Sequence, residues 1–139
     1  MALRGRALRE NAAVASFVYA KIPLDPGWAE RLPGVYEAVE QALASRAAGA
    51  LIGWGRSMSA PGGRGVDAVT HQRLDIEAND QDLALALLKQ ALARLGAPPG
   101  TELHYTEDGR DLQAVYAGAA WAAPTASTAT SRRAHRRRP

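Results

Sequence analysis

A chain of 139 residues suits one domain, and the absence of cysteine excludes a disulfide framework, thiolate zinc sites and thiol nucleophiles. The formal net charge of +3 is unevenly spread: Arg4, Arg6 and Arg9 open the chain, while Arg132, Arg133, Arg136, Arg137 and Arg138 crowd its last eight residues without an acid. Setting the first ten and last eight residues aside leaves nine basic and thirteen acidic residues, so any affinity for polyanions belongs to the ends rather than to the body.

Met1 to Val14 alternates arginine with small apolar residues and is expected to be a flexible basic arm. It lacks the continuous apolar run of a secretory leader. No window approaches the ~18 apolar residues of a membrane helix. A cytoplasmic protein without membrane contact is therefore expected.

Residues 15–117 read as one α+β domain. Ser16 to Ile22 has the alternation of a strand, with Val18, Ala20 and Ile22 on one face and Phe17, Tyr19 and Lys21 on the other. Pro23 limits it, having no N–H for a ladder. Asp25-Pro26 has the chemistry of a helix start, but Gly27, Pro33 and Gly34 argue for an irregular turn and then a helix from Val35 to Ala48. Val35, Val39 and Leu43 mark its buried stripe, and Gly49 is the expected C-terminal cap.

Leu51 to Met58 is a second strand, Pro61 to Gly65 a glycine-rich loop, and Val66 to Ala78 a third strand forming a hairpin with the second. Asn79 or Asp80 caps a helix over Gln81–Leu95, striped by Leu83, Leu87, Leu88, Ala91, Leu92 and Leu95. Gly96 and Pro98-Pro99 stop it. Thr101 to Thr106 and Arg110 to Tyr116 are the last strands, joined by the turn Glu107-Asp108-Gly109. From residue 118 to 139 alanine, threonine, serine and arginine dominate, which predicts a disordered tail ending in the arginine cluster.

The order is β-α-β-β-α-β with an extra C-terminal edge strand. That is the ferredoxin-like order, a two-layer sandwich with both helices on one sheet face and the other face open. The stretch from Lys21-Ile22-Pro23-Leu24 to Leu95-Gly96-Ala97-Pro98-Pro99-Gly100-Thr101-Glu102-Leu103-His104-Tyr105 resembles small, uncharacterised bacterial ferredoxin-like domains over about two-thirds of the chain. The resemblance implies a fold and not an activity.

The third strand sets His71, Arg73, Asp75 and Glu77 at alternate positions, hence on one side. Such a group could serve acid–base chemistry, yet a polar outer face is what an antiparallel sheet ordinarily carries. Phe17 and Tyr19, with Trp54 and Arg56 from the second strand, are expected on the same open face. Aromatic and basic side chains together suit RNA stacking, but Asp75 and Glu77 would repel phosphates. They suit protein docking better.

The glycine-rich runs Gly53–Ser57 and Pro61–Gly65 precede no helix and match no phosphate cradle. His71 and His104 lie too far apart for a local metal-ligand pair. No cofactor or metal is expected, and an enzymatic role is disfavoured. The expected function is a protein-interaction or regulatory module using the open face to bind another protein or a second copy in a homodimer, with Phe17, Tyr19, Trp54, Arg56, His71 and Arg73 as contacts. The alternatives are a nucleic-acid-associated protein using Arg132, Arg133, Arg136, Arg137 and Arg138, and a small enzyme using His71, Arg73 and Asp75.

Overall fold

The computed structural model describes residues 15–24, 26–58 and 69–128. The N-terminal arm, the Pro61–Gly65 loop and the terminal arginine cluster therefore lie outside the described residues. In chain order the elements are β1 (Ser16–Pro23), α1 (Pro26–Ala29), α2 (Leu32–Ser45), β2 (Gly49–Met58), β3 (Val69–Ala78), α3 (Gln81–Leu95), β4 (Glu102–Glu107), β5 (Arg110–Val115) and β6 (Thr125–Ala126). The fold is α+β. Six strands form one antiparallel sheet in the order β2-β3-β1-β4-β5-β6. No helix among the described residues is long and apolar enough to cross a membrane.

Strand alternation decides which sheet face is buried. Val18, Ala20 and Ile22 of β1, Leu74 and Ile76 of β3, and Leu103 of β4 are fully buried. Against them pack Val35, Val39 and Leu43 of α2 and Ala84, Leu85, Leu88 and Leu92 of α3. Burying each of the larger aliphatic side chains contributes about 1.5–3 kcal/mol, so this one layer supplies most of the drive to fold. The stripe of α3 sits slightly off the expected line: Leu85 is buried, while Leu83, Leu87 and Leu95 flank the core half-buried. Asp80 caps α3, its carboxylate accepting from the Leu83 N–H at 3.1 Å.

The helix α2 begins three residues earlier than expected, because Pro33 occupies its first turn, where a missing N–H costs nothing. It also ends earlier, at Ser45, and Ala47 makes the turn with φ 52°. Gly49 is not the helix cap. It is the first residue of β2, where a Cβ would lie 2.5 Å from the Glu77 carbonyl oxygen. Before α2, Trp28 is buried, with the Arg31 guanidinium 5.2 Å above its ring and donating to the Leu95 carbonyl. This ties the start of α2 to the end of α3.

Two local features set the edges of the sheet. Asp108 and Gly109, with φ 52° and 77°, form the two-residue loop between Glu107 and its partner Arg110. Positive φ at both central residues matches the twist of a hairpin, which is why Asp-Gly stands there. In β2 the register with β3 shifts: Leu51 pairs with Ile76, but Gly53 pairs with Asp75 and Trp54 with Leu74. Ile52 is the extra residue of a β-bulge, so Trp54 and Arg56 share the face of Leu51 although they lie an odd number of positions beyond it.

The expectation of a structureless tail from residue 118 is corrected for residues 118–128. Trp121 bridges Tyr116, its ring 4.9 Å from the tyrosine ring, and its indole N–H donates to the Lys89 carbonyl of α3 at 3.2 Å. The chain then runs back along β5 as β6, with Ala126 opposite Leu112 and Thr125 opposite Gln113. A low-leucine segment is held here by backbone pairing and one large ring rather than by an apolar stripe.

Candidate functional site

The face of the sheet away from the helices carries Phe17, Tyr19 and Lys21 of β1, His71, Arg73, Asp75 and Glu77 of β3, and Glu102 and His104 of β4. The registers Phe17–Glu77, Tyr19–Asp75 and Lys21–Arg73 align β1 with β3, and Tyr19–His104 and Lys21–Glu102 align it with β4. Because β1 lies between these two strands, Tyr19 is enclosed from both sides. The His104 ring stacks on it at 4.6 Å and 9°. From the other side the Arg73 guanidinium sits 3.8 Å from the ring centroid.

Arg73 is itself held. Its Nε donates to Asp75 Oδ1 at 2.7 Å, and Phe17 lies 5.9 Å from the guanidinium. A half-exposed ion pair of this kind contributes about 0–1 kcal/mol to stability. Its larger effect is to fix one rotamer of a long side chain. Phe17 remains 43% exposed, tilted 42° to Tyr19.

On β4 the buried His104 is bound at both ring nitrogens: Nε2 to Glu102 Oε1 at 2.7 Å and Nδ1 to Ser127 Oγ at 2.8 Å. The carboxylate can only accept, so Nε2 carries a proton. The hydrogen bond from His104 draws the Glu102 carboxyl below its usual range against the opposing effect of burial, with the His104, Lys21 and His71 charges adding to the draw. Burial pushes His71 down, as does Lys21, and Glu102 opposes them.

Serine, histidine and glutamate in a hydrogen-bonded row have the connectivity of an acyl-transfer relay. The His104 side chain is 3% exposed and Ser127 is 8% exposed, however, so the row braces the C-terminal segment against the sheet instead of presenting a nucleophile.

The expected grouping of Trp54 and Arg56 with Phe17 and Tyr19 is corrected. After the bulge both residues turn to the helix side. Trp54 stacks on Tyr36 of α2 at 4.7 Å, still 57% exposed at the sheet edge, and the Arg56 charge acts on the Tyr36 hydroxyl, whose pKa burial raises. Of the six residues expected to form a contact surface, the fold brings together Phe17, Tyr19 and Arg73; His71 shares their face but lies opposite Pro23, six positions along β3 from the partner of Phe17. Of the enzyme alternative, Arg73 and Asp75 are bonded to each other, and His71 lies near Lys21 and Glu102.

The part of the face missed in the sequence is the Glu102–His104–Ser127 row. Glu102 and His104 alternate on β4 as Arg73 and Asp75 do on β3, a signal present in the sequence; Ser127 has none. Comparison with family models, curated proteins and solved structures returns no match. What the site can do is thus argued from its own geometry.

Proposed function

We propose that the protein is a non-enzymatic interaction module that receives a protein partner on the uncovered sheet face, at Phe17, Arg73 and His71. The observation that carries this is an arginine already fixed by Tyr19 and Asp75 beside a half-exposed phenylalanine. Arginine and aromatic residues dominate binding hot spots, and a side chain ordered before contact loses less entropy on binding. Lys21, Glu77 and Glu102 around them suit a charged rim that selects the partner. The order β2-β3-β1-β4, with helices on one face, supports a ferredoxin-like core extended by β5 and β6.

RNA binding on this face is disfavoured, because both sides of the Tyr19 ring are occupied and no base can stack there. A second reading rests on the five arginines between Arg132 and Arg138, which would bind polyanions with steep salt dependence.

The test is affinity capture with the full chain as wild type, as Phe17→Ala/Arg73→Ala and as Trp54→Ala, combined with light scattering for self-association. A partner or second copy lost only with the first variant supports the face. Equal recovery with all three proteins rejects it. Trp54 serves as the control because it lies on the helix side.

A further inference from the structure

The described chain ends beside the open face and heads for its acidic end. In β6, Thr125 pairs with Gln113 and Ala126 with Leu112, and the Ser127 N–H donates to the Asp111 carbonyl. Thr128 is fastened next: its N–H and hydroxyl both donate to Gln113 Oε1, at 2.9 and 3.1 Å. The direction of travel is toward the Asp108-Gly109 turn. Glu107 and Asp108 lie there, Asp111 is level with Thr106, and Glu77 pairs with Phe17 two positions beyond the Tyr19–His104 pair. Arg110 is the basic residue at this end, and Arg73 is engaged by Asp75.

We propose that residues 129–139 fold back in cis onto this end of the sheet face, the arginines of Arg132–Arg138 lying over Phe17, Glu77 and Asp111. The length permits it. Arg132 is four residues past Thr128, a reach of about 13 Å, and Arg138 is ten past it, about 33 Å. The face from β5 across to β3 spans three strand spacings, about 14 Å. The charges are complementary, five arginines meeting Glu77, Asp108 and Asp111, the last also accepting from the Thr106 hydroxyl; Glu107 lies on the helix side. The exposed Phe17 ring adds a surface on which a guanidinium can stack.

Each exposed pair is weak and screened by salt. A tether this short supplies an effective concentration on the order of millimolar, so a contact too weak to hold a separate peptide still occupies the face. The same arginines are then withheld from polyanions, and a partner must displace them. That last consequence rests on the partner-binding reading above; the contact itself does not.

The chain has no cysteine, so a nitroxide can be placed at one position by Ser131→Cys in the full-length protein. At low ionic strength the amides of Phe17, Glu77 and Asp111 lose intensity in the paramagnetic state. The signals return near 1 M salt, where the screening length is about 3 Å, and also in a Glu77→Gln/Asp108→Asn background. Mixing nitroxide-bearing chain without isotope label with isotope-labelled unmodified chain produces no loss if the contact is within one molecule. Broadening confined to residues 125–128 and their β5 neighbours, broadening indifferent to salt, or equal losses in the mixed sample overturns the proposal. Should the paramagnetic losses appear while Phe17→Ala/Arg73→Ala leaves partner capture untouched, the tail contact stands and the partner-binding reading fails.

Discussion

Two glycines of one strand should respond to alanine with opposite signs. At Gly49 the added Cβ would meet the Glu77 carbonyl oxygen at 2.5 Å and the Ala78 Cα at 3.0 Å. Both are backbone atoms of the paired strand, and Gly49 itself pairs with Ala78, so relief requires β2 and β3 to part. Overpacking of this sort costs about 1–3 kcal/mol. Against it stands about 0.4–1 kcal/mol from the less flexible unfolded chain. The net loss is about 1–2 kcal/mol, which at a urea slope of about 1.5 kcal/mol/M lowers the midpoint by about 1 M. At Gly55 the added Cβ meets nothing within 4 Å and φ lies outside the left-handed region. Gly55→Ala should therefore leave the midpoint unchanged or raise it, by up to about 0.5 kcal/mol. Urea unfolding of both variants, with slopes compared, decides the matter. A Gly49→Ala midpoint equal to or above wild type would refute the close approach of the two strands.

Three further changes probe other contacts. Asp80→Ala removes the cap of α3 and should cost about 1 kcal/mol by thermal or urea unfolding, with Asp80→Asn nearly neutral. Trp121→Ala removes a half-buried ring and its bond to Lys89, and should cost about 2 kcal/mol; a wild-type melting temperature would show that the C-terminal segment does not pack as described. Glu102 is held below its usual 4.5, so the folded state keeps its charge while the unfolded chain takes up a proton as pH falls. Its contribution is whole above about pH 4.5 and fades below; Glu102→Gln should flatten that acid limb in a stability–pH series, and an unchanged slope would reject the Glu102–His104 bond as its cause.

The sequence was informative where burial repeats with a period. The α3 helix carries its stripe, its cap at Asp80 and its stop at Gly96, and the alternation of β1 and β3 separates Val18, Ile22, Leu74 and Ile76 from Phe17, Tyr19, Arg73 and Asp75. Five of the six strands follow from signals of this kind, and so does the Tyr19–Arg73 half of the face; β6 does not.

The remainder depends on single long-range events. Gly53-Trp54-Gly55-Arg56 alternates equally well in either phase, and only the extra residue opposite Asp75 decides where the indole goes. Gly49 follows a helix as a cap would, and its true constraint is a carbonyl that lies 28 positions away in sequence. Residues 118–128 look unstructured by composition because one indole, a two-residue strand and one serine hold them, and none of these leaves a periodic mark.

The single extra residue in β2 makes that strand a switch of parity. Its inner half answers to the helix-covered core through Leu51, and its outer half is counted from a fresh start. Removing Ile52 would restore one continuous count while leaving Gly53 opposite Asp75, Trp54 opposite Leu74 and Arg56 opposite Gln72, so the indole and the guanidinium would keep their side of the sheet. What the extra residue supplies is an odd spacing with an even outcome: Leu51 and Trp54, three positions apart, lie on one face, which unbroken alternation would deny them.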